Sequence, residues 1–223
     1  MENERMLNYL KAVVDNMPND WLGLTTHRLD IYNEKLAKTE FLEEFDALYE
    51  ANNSNTSSLH KIPTAYDYIR LGHPLSCILE WAIAKQNNLQ SQNAISFSSA
   101  TIPILSVLRK NLFDKKNTQI VYAGELPEFF DAKIVRKVYG YNFELKEVEE
   151  ADSLPEFDGS TILVSHHDEI GLIDFAKGAD FYINILPNLG SVLVVNGESN
   201  ESYISDIQHI RRRETIAMTP ANS

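Results

Sequence analysis

From residue 93 onward the chain repeats one pattern: a short β-branched, apolar run, a break of small residues, then an amphipathic stretch at helical spacing. AISFS precedes IPILSVLRKNLF, TQIVYAG precedes LPEFFDAKIVRKVYG, and SVLVVNG precedes ESYISDIQHIRRR; STILVSH precedes a segment, about 170 to 189, read as helical. After a leading Thr or Ser, runs such as TILV and SVLVV have no polar residue to turn toward water, so both of their faces must be covered. A parallel sheet wrapped by crossover helices meets that requirement. The expected fold class is therefore α/β, a doubly wound, mostly parallel Rossmann-like sheet. YNFELKEVE supplies a further strand, and TIAMT is read as a last short one.

The first part of the chain has a different texture. MLNYLKAVVDNM, HRLDIYNEKLAK and EFLEEFDALYEA place apolar residues three and four apart, with a break at Pro18-Asn19-Asp20. The small polar tract NNSNTSS, 52–58, reads as a flexible connection between cap and body. The domain organisation expected is a helical N-terminal cap over 1–58 and a Rossmann-like domain over 59–223. HPLSCILEWAIAKQNN opens the second unit as a helix, with Pro74 in its first turn and Leu75, Ile78, Leu79 and Ala82 as its buried stripe.

Composition excludes several function classes. With 223 residues, 43% of them hydrophobic, the chain can bury a sizeable core. A net charge of -12 opposes sequence-independent nucleic-acid binding, which needs a basic face to displace counterions from phosphates. MENERMLNYLKAVV has no long apolar run, so neither a signal peptide nor a membrane span is read there, and a cytoplasmic location is expected. The single Cys77 leaves no internal disulfide and no cysteine zinc cluster, and inside CILEWAIA it reads as a buried thiol. The expected partners are a small-molecule substrate and either a second copy of the chain or another protein, with no nucleic acid and no membrane.

In a wound sheet, ligands bind beyond the carboxyl ends of the strands, so the loops after each strand carry the candidate residues. Ser98, Ser99, Ala100 and Thr101 follow the first strand, where small residues let a ligand approach the backbone; they also suit a plain helix cap, with Pro103 in the first turn. Gly124 and Glu125 follow the second strand. Glu125 is placed to hold ribose hydroxyls, or else to favour the dipole of the helix after it. EVEEADSLPEFDG carries six carboxylates between Glu147 and Asp158 and reads chiefly as a solvated loop, with Asp152 or Ser153 able to reach a cofactor base. The fourth loop, Ser165-His166-His167-Asp168-Glu169, offers His166 or His167 as a general base with Asp168 as the orienting acid; capping of a following helix is the structural alternative. No second His or Cys cluster completes a metal shell around it. Tyr68 and Arg70, just before the sheet, are candidates for substrate contact or for interdomain packing. His27, His60 and His209 read as surface residues, and Arg211-Arg212-Arg213 forms a basic island on an acidic chain.

Two resemblances follow from these residues. ISFSSATIPILSVL and LPNLGSVLVVNG, with Glu125 between them, loosely resemble the Rossmann-like S-adenosylmethionine-dependent methyltransferases, in particular nicotianamine-synthase-like members. That likeness implies S-adenosylmethionine as cofactor: residues 98–101 would face its methionine part, Glu125 its ribose, and the SHHDE loop the methyl acceptor. YIRLGHPLSCILEWAIA followed by AISFSSATIPILSVL also resembles the large domain of fold-type I pyridoxal-phosphate enzymes. GADFYINILPNLGS is similar to the segment that carries their Schiff-base lysine, with Asn188 in that place. This second likeness implies a shortened, catalytically inactive relative that acts as a binding or partner module.

Overall fold

The computed structural model describes residues 2–23, 35–64, 72–149, 154, 156–168, 171–175, 178–197 and 200–223. Six strands form one sheet: β1 (Ala94–Phe97), β2 (Thr118–Tyr122), β3 (Glu144–Glu147), β4 (Ser160–His166), β5 (Phe181–Leu186) and β6 (Gly190–Val195), in the order β1-β6-β5-β4-β2-β3. The β2–β3, β2–β4 and β4–β5 pairings are parallel, while β6 runs antiparallel to both β1 and β5. The fold is α/β, as the alternating texture predicts.

Local chemistry sets the helix ends. α4 (Pro74–Gln86) begins in a reciprocal cap in which the His73 ring accepts from the Ser76 backbone N–H while the Ser76 hydroxyl accepts from the His73 N–H. α5 (Ile102–Asp114) has Pro103 in its first turn. α6 (Ala132–Tyr139) is capped by the Asp131 carboxylate on the N–H groups of Lys133 and Ile134, and it ends where Gly140 takes a left-handed φ of 71°. α7 (Glu201–Glu214) follows β6.

The strands divide their side chains by alternation. Ile95, Phe97, Ile120, Ile162, Val164, Phe181 and Ile183 point to one face, beneath Val107 and Leu108 of α5, Val135 of α6 and Ile207 of α7. Ala94, Val121, Leu163, Tyr182, Val192 and Val194 point to the other face, against Ile83 and Ala84 of α4 and Met218 of the C-terminal segment. Burying a Phe or Ile completely, as at Phe97, Phe181 and Ile183, contributes roughly 1.5–3 kcal/mol each. A third cluster joins α1 (Glu2–Asn16) and α2 (Phe41–Glu50) to α4: Tyr9, Phe41, Phe45 and Tyr49 gather around Trp81, whose ring meets Phe45 edge-on at 5.1 Å. α4 is thus buried nearly all round, and its anticipated stripe is incomplete. Cys77 and Trp81 lie in the helical cluster, Ile83 and Ala84 in the sheet cluster, and Leu75 and Leu79 are only partly covered.

Three expectations for single segments need correction. The stretch read as a helix from 170 to 189 contains β5 and a tight turn. FYINIL is too short and too β-branched for a helix, and the Leu189 N–H bonds the Leu186 carbonyl across Pro187 and Asn188, with Asn188 at φ 62°. That hairpin is what turns β6 antiparallel. TIAMT forms no strand; its Ala217 and Met218 are instead fully buried. NNSNTSS is an ordered turn leading into a short helix, α3 (Thr56–Leu59), with the Asn53 side chain bonded to Ser58 and Asn55. The residues around Tyr68 and Arg70, like His27, Asp152, Ser153 and Glu169, lie outside the described residues.

Candidate functional site

Although β1 and β2 are consecutive in the chain, they are not neighbours in the sheet. β6, β5 and β4 lie between them, so their ends are four spacings, about 19 Å, apart. All four of β1, β2, β4 and β5 run the same way, and their carboxyl ends share one rim. This rim has two different halves.

The β1–β6 half is filled by the chain itself. The Ser99 hydroxyl accepts from the N–H groups of Thr101 and Ile102, both at 3.2 Å, and so caps α5. The Ser98 N–H and hydroxyl both donate to the Ile216 carbonyl, and the hydroxyl also meets Thr215. The Ser191 hydroxyl donates to the Ser99 carbonyl at 2.6 Å. Gly190, at φ 134°, crosses the end of β1 so closely that a Cβ there would stand 2.1 Å from the Phe97 carbonyl oxygen. Ala100 and Ile102 pack against the sheet core. The turn 98–101 therefore meets protein atoms on each of these sides.

The β2–β4 half is open. It is also the topological switch point: the chain moves outward from β2 to β3 and then returns to the opposite side of β2 for β4. Gly124, at φ 78°, and Glu125 follow β2 and are exposed. His166, His167 and Asp168 leave β4, also exposed. The loop is held through its backbone, because the Asn184 side chain on β5 accepts from the His167 N–H at 3.0 Å and donates to the His167 carbonyl at 3.2 Å. Among the described residues neither imidazole has a hydrogen-bond or carboxylate partner, so the anticipated His–Asp orientation is not formed, and no group of His, Cys, Asp and Glu is arranged for a metal. Asn184 is a positioning residue that sequence reasoning missed; its signal is a single amide inside the apolar run FYINIL.

A second feature missed in the sequence lies on the far side of β1. Glu80, 1% exposed, accepts from the Ser96 N–H at 2.8 Å and the Ser96 hydroxyl at 2.9 Å, and from the Lys38 ammonium at 2.7 Å. Burial pushes this carboxyl toward protonation, but the charges of Lys38 and Arg211 and the bonds from Lys38 and Ser96 outweigh it and hold it below the usual range. His73, fully buried, takes the opposite path. Its Nδ1 accepts from Ser76, so Nε2 carries the proton and donates to the Met218 carbonyl. Burial lowers its pKa despite that bond and the nearby Glu80. One acid inside the run CILEWAIA, where charge is costly without a partner, is the sequence signal for this latch.

No family model and no curated protein matches the chain. Several solved structures resemble it over part of their length. Cystathionine gamma synthase from Xanthomonas oryzae pv. oryzae is 13% identical with a TM-score of 0.49, over 73% of this chain and 51% of that one. MetB from Corynebacterium glutamicum is 15% identical with a TM-score of 0.45, over 94% and 60%. A putative O-acetylhomoserine (thiol)-lyase from Campylobacter jejuni, bearing N'-pyridoxyl-lysine-5'-monophosphate, is 10% identical with a TM-score of 0.41, over 89% and 63%. The chain spans 51% to 63% of the length of these three proteins. The S-adenosylmethionine expectation is corrected by the strand order: four spacings, about 19 Å, separate the ends of β1 and β2, too far for one adenosyl cofactor to set its methionine part on residues 98–101 and its ribose on Glu125.

Proposed function

We propose that this chain is a non-catalytic binding module, built on a fold of the kind used by pyridoxal-phosphate enzymes and acting through a protein partner. The filled β1–β6 half of the rim carries this reading. The N–H groups of Thr101 and Ile102, where α5 begins and where other helices offer an anion site, are taken by Ser99, and Ile216 and Ser191 bond the turn before it. Pyridoxal phosphate does not fit these residues. An imine needs a lysine amine, and the place that the sequence resemblance gives to that lysine holds Asn188, in the turn just after β5.

Titration with pyridoxal phosphate, followed by borohydride reduction and peptide mapping, tests this reading. The expected result is scattered, substoichiometric labelling of surface lysines. A stoichiometric adduct at one lysine, with a visible imine band, would overturn it.

The switch point supports a second reading, binding of a small molecule between β2 and β4 with Gly124, Glu125, His166, His167 and Asp168 around it, because open wound sheets receive ligands there. Histidine proton resonances followed against a metabolite library test it. Shifts confined to His166 and His167 support the site, and unmoved resonances reject it.

A further inference from the structure

We infer that the groove between α5 and α7 docks an acidic protein segment with an apolar anchor, an inference that rests on the partner-module reading. The two helices are tied together by Arg109 to Glu214 and by Lys110 to Asp206 at 2.8 Å. Between these pairs lies a groove of about 410 Å³. Ile210, 8% exposed, forms its floor, and Phe113 stands on its wall 75% exposed. A phenyl ring left in water beside an apolar floor gains its full burial only when something covers it.

Charge identifies the cover. Segments 109–116 and 206–214 hold seven of the chain's 20 lysines and arginines but only three of its 32 acids; Arg211 is buried toward Glu80, which leaves six of those cations for the surface. Arg213 and Lys115 are exposed and form no ion pair among the described residues, and Lys116 lies over the Tyr203 ring at 5.7 Å. On a chain of net charge -12, this strip is where a negative partner is steered, while the remaining surface repels it. The same repulsion disfavours a nucleic acid, whose phosphates extend beyond a local basic strip, and Asp206 and Glu214 would face those phosphates in the groove. A short acidic segment avoids both penalties. Its apolar residue covers Phe113 and Ile210, and its carboxylates meet Arg213 and Lys115.

The test uses the full chain and fluorescently labelled helical peptides of equal length: one with leucines flanked by glutamates, one with leucines flanked by lysines, and one with glutamates and no leucine. Anisotropy is expected to show saturable, salt-sensitive binding of the first peptide only, weakened about tenfold or more by Arg213→Glu and by Phe113→Ser. Both positions are exposed, and circular dichroism checks that the variants fold. The inference is overturned by any of four results: no binding of the first peptide, equal binding of either control, unchanged binding in both variants, or displacement by a single-stranded oligonucleotide. Failure here without a stoichiometric pyridoxyl adduct removes the docking groove alone; the adduct removes the module reading whatever the peptides do.

Discussion

The two halves of the carboxyl rim are made from the same kinds of residue and reach opposite ends. At β1–β6, serines, a threonine and a glycine are consumed by contacts inside the chain, and Glu80 holds the outer edge of β1 from behind. At β2–β4, a glycine, two histidines and two acids stand exposed, and Asn184 holds only the backbone of His167. Polar residues at the end of a strand thus do not define a site by themselves. What matters is whether a neighbouring segment supplies their partners or leaves them to a ligand.

This contrast can be broken most severely at Glu80. Glu80→Ala leaves the Lys38 ammonium without its partner and the Ser96 N–H and hydroxyl unsatisfied, and is expected to cost about 3 kcal/mol in urea unfolding. A loss below half that would mean the latch does not hold β1. Gly190→Ala comes next, at about 2 kcal/mol, because the new methyl meets the Phe97 carbonyl and the backbone must keep a φ of 134°. A neutral outcome would show that the closed half can yield. Ser191→Ala, which removes only the bond to the Ser99 carbonyl, should cost about 1 kcal/mol by the same measurement.

A proton-linked effect vanishes near neutrality and sharpens the comparison in acid. The His73 pKa is lowered in the folded chain, so between that value and the ordinary one near 6.5 the unfolded state binds the extra proton. Stability is therefore full above about pH 6.5 and falls as the pH drops toward the folded pKa; His73→Gln should flatten that part of the profile. Glu80 adds a separate loss at lower pH, since its depressed carboxyl contributes above the ordinary carboxylate range and ceases to as pH falls through its folded value. The smallest effect belongs to the open half. His166→Ala and His167→Ala should each change stability by less than about 0.5 kcal/mol, and a larger loss would reveal partners the exposed loop is not expected to have.

Much of the fold could be read from residue patterns. TILV and SVLVV became buried strands, and the helices from 102 and from 201 begin within a residue or two of their apolar stripes. FYINIL was misread because a six-residue apolar run carries no decisive period, and the better clue lay after it: in PNLG, Pro187 and the left-handed Asn188 make a hairpin turn. The candidate site was legible as a set of loops and misleading as a grouping. Asn184 and Glu80 escaped notice because one polar residue in an apolar run looks alike whether it anchors a loop, seals a sheet edge or merely faces water.

By itself the sequence determined most of the strands and helices after residue 93 and the acidic balance, since each depends on neighbours in the chain or on simple content. Tertiary structure alone decided that β6, β5 and β4 lie between β1 and β2, that Thr215 and Ile216 bond the turn after β1, and that Glu80 is buried beside Lys38. Strand order and burial are set by contacts between residues far apart in the chain. Local spacing carries no record of those contacts.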